Sequence, residues 1–233
     1  MFDAASRGQK ARKAVAILQD HRPASSELDL LEIGCSAGYG TVVYAEAFRS
    51  VTGIDIDEPA VRHAIRVNAR PNVRYLVMDS QQTGFPDASF DVVTCTHIYE
   101  HVPDARRLMR EIHRLLRPRG VCFFSAGNRL CWIEPHYRLP LLSVLPKFLA
   151  HRYLRLLGRG SYYYENHLSY WSLEKLVSEF ELLDYTLRVV EDPVRFHATD
   201  VVRPGSLQQQ LSRRLLSAVY WACPTYLWLL EKK

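Results

Sequence analysis

Apolar residues fall into short blocks separated by stretches with a helical repeat. LDLLEI (28–33), VTGID (51–55), VRYLVM (73–78), FDVVTC (90–95) and VCFFS (121–125) are brief, rich in β-branched or aromatic residues, and bounded by turn residues. That pattern predicts five buried strands. Between them, residues 7–20, 39–48, 58–68 and 103–116 repeat their apolar positions every three or four residues, which predicts amphipathic helices. Pro103 suits the first turn of the last of these, and Arg117-Pro118-Arg119-Gly120 stops it. Strand and helix alternate, and parallel strands need crossover helices, so the order predicts a parallel sheet covered on both faces.

Beyond residue 127 the alternation stops. Residues 128–170 set prolines among leucines and carry Tyr162-Tyr163-Tyr164, which predicts an inserted helical lid. A helix is expected at 172–180. Two strands, 182–190 and 196–202, are expected to form an antiparallel hairpin across Glu191-Asp192-Pro193. In the tail, Leu207, Leu211, Leu215 and Val219 recur every four residues opposite Gln208, Arg213 and Arg214. Ser206 stands where an N-cap belongs, so an amphipathic helix is predicted there.

The 233 residues contain 48% apolar and 24% charged side chains, which excludes a disordered chain and a polytopic membrane protein. Cys35, Cys95, Cys122, Cys131 and Cys223 are scattered with no Cys-x-x-Cys pair, which fits a reducing cytoplasm better than a disulfide framework or zinc ribbon. The N-terminus is polar and charged and does not read as a signal peptide. The net charge of +5 is uneven: residues 1–104 carry 10 basic and 14 acidic groups, residues 105–233 carry 20 and 11. The basic excess lies in two leucine-rich stretches, 129–160 and 201–233.

Glu32-Ile33-Gly34-Cys35-Ser36-Ala37-Gly38-Tyr39-Gly40 joins the first strand to its helix. Glycines let the chain turn tightly and let a ligand approach the backbone. The helix start beyond them offers free N–H groups. The spacing is G-x-x-x-G-x-G, neither the dinucleotide G-x-G-x-x-G nor a P-loop. Asp55 ends the second strand, where a carboxylate accepts from two ribose hydroxyls. Together these features point to a ribose-containing ligand without a diphosphate, at the carboxyl end of the sheet.

LDLLEIGCSAGYG, VTGIDID and NVRYLVMDSQQTGFPDASFDVVTCTHIYEHVPD resemble class I S-adenosylmethionine-dependent methyltransferases, in particular the methyltransferase type 11 group. The resemblance covers residues 28–126. It implies an α/β, Rossmann-like, doubly wound seven-stranded sheet of order 3-2-1-4-5-7-6 with the last strand antiparallel. It implies one domain: a cofactor-binding half (1–127), a lid (128–170), a helix and terminal hairpin (171–203) and an amphipathic tail (204–233). By position, Glu32, Gly34, Gly38 and Gly40, with Cys35 in the same turn, would hold the amino-acid moiety of S-adenosylmethionine. Asp55 would bind the ribose, Ile56 would pack on the adenine, and Asp79 with Ser80 would meet its amino group. Thr96 would face the methionine part. The sequence departs from the family at Cys35-Ser36-Ala37-Gly38, where many members have Gly-Cys-Gly-x-Gly.

Methyl transfer needs chiefly proximity and alignment. A general base helps when the acceptor is a hydroxyl. His97 and His101, after the fourth strand, and His136, in the lid, are the candidates; His167 is a further lid histidine. Some relatives bind a divalent ion in the loop that here carries His97, Glu100 and His101, but His97 stands where they place a carboxylate, so no metal is expected.

The uncharged run 215–230 is too short for a span and is broken by Pro224. The greasy, basic stretches 139–159 and 206–230 instead suggest peripheral contact at the inner membrane face. The expected activity is O-methylation of a sugar, lipid-linked glycan or other small hydroxyl compound. A quinone-type lipid acceptor, or a protein that binds the cofactor without turnover, are the alternatives. Nucleic acid is not the expected partner: no Asn/Asp-Pro-Pro-Tyr/Phe follows the fourth strand, and the basic stretches interleave leucine rather than spaced aromatics.

Overall fold

The computed structural model describes residues 4–233; the first three residues of the N-terminal stretch read above lie outside them. Five parallel strands form most of one sheet: β1 (Asp29–Ile33), β2 (Ser50–Asp55), β3 (Val73–Val77), β4 (Phe90–Thr96) and β5 (Leu116–Gly127). Helices α1 (Ala4–His21), α2 (Thr41–Ala47), α3 (Glu58–Val67) and α4 (Ala105–Leu115) precede or link them. Pro103 lies ahead of α4 rather than in its first turn. Asp104 is the cap, and its carboxylate accepts from the N–H groups of Arg106 and Arg107.

Strand residues alternate between two buried faces. Leu31, Ile33, Val93, Cys95, Cys122 and Phe124 pack with Leu108 and Ile112 of α4. Leu30, Val92, Val121 and Phe123 pack with Ala14, Ile17 and Leu18 of α1 and Tyr44 of α2. Burial on both faces is what makes these strands continuous apolar runs.

The lid holds a two-residue ladder, β6 (Ile133–Glu134) with β7 (Leu139–Pro140), then α5 (Lys147–Leu156). Leu139, Leu142, Ala150, Leu154 and Tyr163 give it a small core of its own. It is anchored at its base by Asn128, whose side-chain amide donates to the carbonyls of Trp221 and Cys223.

The last third departs from the prediction. The helix expected at 172–180 is α6 (Tyr170–Leu176), and Phe180 already begins strand β8 (Phe180–Asp184). The run 182–190 does not continue as a strand. Asp184 accepts from the Thr186 N–H at 2.8 Å, and α7 (Thr186–Glu191) follows. Residues 196–202 are turns, not a strand, with Phe196 and Ala198 buried beneath α1. After α8 (Leu207–Val219) comes the seventh strand of the sheet, β9 (Thr225–Lys232). It inserts antiparallel between β5 and β8. The sheet order β3-β2-β1-β4-β5-β9-β8 is the expected 3-2-1-4-5-7-6, with its antiparallel member supplied by the chain's end.

Residues 225–230, read above as part of a membrane-facing tail, are therefore core: Tyr226, Leu229 and Leu230 are fully buried. Of the α8 leucines only Leu216 packs on the core. Leu207, Leu211 and Leu215 are 75%, 64% and 63% exposed. Among the described residues no helix is long and apolar enough to cross a membrane.

Candidate active site

In the parallel register Ile33 pairs with Ile54 and with Cys95, so the residues after them, Gly34, Asp55 and Thr96, lie along one sheet edge. Gly34 and Gly38 have φ of 79° and 80°, which favours glycine. A Cβ on Gly34 would run into Ile98, and one on Gly40 would lie 2.7 Å from the Glu32 carboxylate. Ser36 also takes a left-handed conformation, and its N–H donates to Asp55 Oδ2 at 2.8 Å. The Asp57 N–H donates to Oδ1 at 2.9 Å. Asp55 is thus held in one orientation while each oxygen keeps a lone pair for another donor.

A cleft of about 500 Å³ opens over this edge. Of the predicted residues it is lined by Glu32, Gly34, Gly40, Asp55, Thr96, His97, His101 and His136. A smaller recess of about 210 Å³ takes in Ile56, Asp79 and Ser80, with Met78, Val102 and Pro103. The two share Ile33, Gly34, Asp55, Ile98 and His101, so Asp55 stands where they join. Ile56 is 75% exposed and offers an apolar surface to the recess.

Cys35 and Gly38 line neither cavity. The Cys35 side chain turns into a small core with Val61, Ala64 and Tyr75, and burial pushes its thiol far above the usual range. Gly38 packs against Tyr75. Ser6, Arg7 and Lys10 of α1, and Tyr44 of α2, also line the cleft, and the sequence reading missed them. Their signal was a pair of basic positions, Arg7 and Lys10, one helical turn apart.

This arrangement suits a ligand with a zwitterionic end, a ribose and a flat base. Glu32 sits at the polar end with Arg7 and Lys10, Asp55 at the middle, and Ile56, Met78 and Val102 at the apolar end.

Glu32 is buried and accepts from Thr41 Oγ1 at 2.5 Å. Burial outweighs that bond and raises its pKa from 4.5 to about 7. Because the folded value is raised, the stabilising contribution is full below pH 4.5 and is lost as pH rises through about 7. Glu32→Gln is expected to remove this loss. Without ligand at pH 8, denaturant unfolding should find the variant more stable by on the order of 3 kcal/mol, with little difference at pH 4.5. Equal unfolding free energies at pH 8 would refute the assignment.

Past β4, His97 is held at φ 53°. Its Nδ1 lies 3.2 Å from Glu100 Oε1 and its Nε2 3.4 Å from Ser125 Oγ. Glu100 is fully buried. Burial opposes its ionisation, but the hydrogen bond and charge of His97 prevail and hold its pKa below the ordinary value. Burial lowers the pKa of His101, whose ring meets that of His136 edge-on at 5.1 Å. His136 Nδ1 lies 2.6 Å from Glu134 Oε1, which raises the histidine's pKa. On Glu134, burial is outweighed by the bond from His136, by the nearby His167 ring and by the Tyr137 N–H, and its pKa falls to about 2.

A further cavity of about 550 Å³ lies beyond the His97 wall. It is mainly apolar, lined by Phe123, Val189, Leu216, Pro224 and Leu227 among others, with Ser212 of α8 also in its wall. It shares Ser6, Lys10, Thr96 and His97 with the cofactor-sized cleft.

Residues 31–124 match the family described as Methyltransferase domain (Methyltransf_11). The chain is 37% identical over 120 residues to a probable S-adenosylmethionine-dependent methyltransferase of Mycobacterium tuberculosis, covering 51% of this chain and 43% of that protein. It is 31% identical over 164 residues to the ubiquinone biosynthesis O-methyltransferase of Pseudomonas aeruginosa PAO1, covering 66% of each. The chain therefore spans less than half the length of the mycobacterial relative. Among solved structures, an S-adenosylmethionine-dependent methyltransferase from Mesorhizobium loti superposes with a TM-score of 0.61 over 93% of this chain and 96% of that one, at 19% identity.

Proposed function

We propose that this chain, which belongs to the class I S-adenosylmethionine-dependent methyltransferases, O-methylates a hydroxyl carried on an apolar body. The observation that carries this reading is the shared wall. Thr96 and His97 face a polar, nucleoside-sized cleft on one side and an apolar cavity on the other.

When bound, S-adenosylmethionine supplies a methyl carbon already activated by its sulfonium. Glu32, Gly34 and Gly40 would hold its amino-acid end with Arg7 and Lys10. Asp55 would take the ribose hydroxyls, and Ile56, Asp79 and Ser80 the adenine. His97 does the proton work. In the tautomer that donates Nδ1–H to Glu100, Nε2 is free to receive the acceptor's hydroxyl proton. Nε2 lies on the Ser125 side, and Ser125 lines the apolar cavity. Glu100 fixes the ring and stabilises the imidazolium that forms. His101 and His136 line the cofactor cleft but not the apolar cavity, which makes them positioning or binding groups in this scheme.

The apolar cavity supports a lipid-linked acceptor over a free sugar. The exposed leucines of α8, with Phe148 and Leu156 of the lid beside Lys147, Arg152 and Arg155, suit an anionic membrane surface from which such an acceptor is drawn. A quinone-type lipid would use the same cavity, and the ubiquinone biosynthesis relatives of P. aeruginosa favour it as the second reading.

The test is labelled methyl transfer to a long-chain alcohol or phenol in anionic vesicles, compared with its truncated, water-soluble analogue. Each buried methylene adds up to about 0.8 kcal/mol, so four should raise kcat/KM roughly 100-fold. Ser212→Trp, which puts a large side chain on the wall of this cavity and not of the cofactor cleft, should erase that preference and leave cofactor affinity unchanged. Equal kcat/KM for the long and short acceptors would sink the reading.

A further inference from the structure

Where the lid closes on the loop after β4, three side chains outside the proton-transfer scheme converge. One donor atom from each of Glu134, His136 and His167 lies within 4.8 Å of the others. Glu134 Oε1 is 2.6 Å from His136 Nδ1 and 3.5 Å from His167 Nε2. The Glu134 side chain is fully buried and that of His167 is 2% exposed. We propose that these residues bind one divalent transition-metal ion of the zinc or iron(II) class, at the seam between the lid and the sheet.

Hydrogen bonding within the trio accounts for only two of its members. Glu134 Oε1 serves His136 at short range and stands too far from His167 for a sound bond. His167 is left with both ring nitrogens buried and unpaired. A buried ring without a partner is costly, so a native structure keeps it for a reason. A cation among the three donors gives one His167 nitrogen a partner, since both imidazoles and the carboxylate then bind one centre.

The surroundings are built for an ion. The Tyr137 N–H donates to Glu134 Oε2 at 2.8 Å and leaves Oε1 to face the histidines. Gly127 lets the His167 ring close on the strand: a Cβ there would lie 3.1 Å from its Cε1. Glu100 and Glu165, in the same loop and lid, each have a buried carboxylate oxygen without a partner.

Two imidazole nitrogens and one carboxylate oxygen select zinc, iron(II) or similar ions over calcium or magnesium, which prefer all-oxygen shells. Donors bonded at about 2.1 Å to a tetrahedral ion stand about 3.4 Å apart, inside the 2.6–4.8 Å range seen here. Three protein ligands leave a position open. His136 also lines the cofactor cleft, so the open position could be filled by a water from that side. The sequence showed no metal spacing because His167 lies 31 residues from His136 and meets it only when the lid is folded.

The experiment is titration of the chelator-treated full chain with Co²⁺, followed by its visible ligand-field absorption and by X-ray absorption of the complex. The expected result is one Co²⁺ per chain, two imidazoles in its shell, no sulfur, and displacement by Zn²⁺. His136→Gln and Glu134→Gln, with folding checked by circular dichroism, should each weaken binding at least 10-fold. No stoichiometric binding by the wild type overturns the proposal, as does a bound ion with fewer than two imidazoles, whatever the variants do. So does unchanged affinity in the two folded variants.

Discussion

Asp55→Ala is expected to abolish measurable cofactor binding. Two ribose hydroxyls donating to one carboxylate form charge-assisted bonds worth about 1.5–3 kcal/mol each. Their loss should raise the dissociation constant of S-adenosylhomocysteine by on the order of 10²–10⁴-fold. The substitution also frees the N–H groups of Ser36 and Asp57, which Asp55 holds at 2.8 and 2.9 Å, so the glycine turn loses its anchor. Asp55→Asn separates the two effects. It keeps an acceptor for one N–H but removes the charge, and should fall between wild type and alanine. Calorimetric titration reads all three, and an alanine variant that binds as the wild type does would move the ribose elsewhere.

His97→Asn should leave cofactor binding within a few-fold and cut kcat by roughly 10²–10⁴, the usual contribution of a general base. His97 is placed for this by its backbone, whose N–H donates to the Ser125 carbonyl at 2.9 Å, and by the buried Glu100 beneath it. Glu100→Gln should lower kcat less than His97→Asn, because the ring stays in place but the imidazolium that forms is less stabilised. A variant at position 97 that keeps the wild-type kcat would assign the proton to another group.

How far the sequence carried these conclusions depends on what each element needs from its neighbours. The inner parallel strands were legible because both of their faces are buried; β3, at the sheet's edge with Arg74 and Val77 exposed, was legible as a short apolar run after Pro71-Asn72. β9 has the same two-sided burial, with Trp228 and Leu230 on one face and Leu227 and Leu229 on the other. Placed after an amphipathic helix, however, TYLWLL has no period that separates a buried strand from a greasy tail. Its strand character comes from β5 and β8, distant in sequence. Within 182–190 the β-branched residues outweighed Asp184, although an aspartate inside an apolar run is a capping signal.

The turn at 34–40 and Asp55 could be read together because parallel register brings consecutive strand ends to one edge. The side-chain direction of Cys35 could not, since its neighbours, Val61, Ala64 and Tyr75, come from α3 and β3. The contribution of α1 to the cleft, marked in the sequence only by Arg7 and Lys10 a turn apart, and the meeting of Glu134 with His167 are products of docking.

The polar cleft and the apolar cavity meet at Thr96 and His97. A crystal structure with S-adenosylhomocysteine tests it most directly. The ribose should lie on Asp55, the adenine against Ile56, and the sulfur should face Thr96 and His97 toward the apolar cavity. A sulfur pointing away from that wall, or a ribose bound off Asp55, would contradict it.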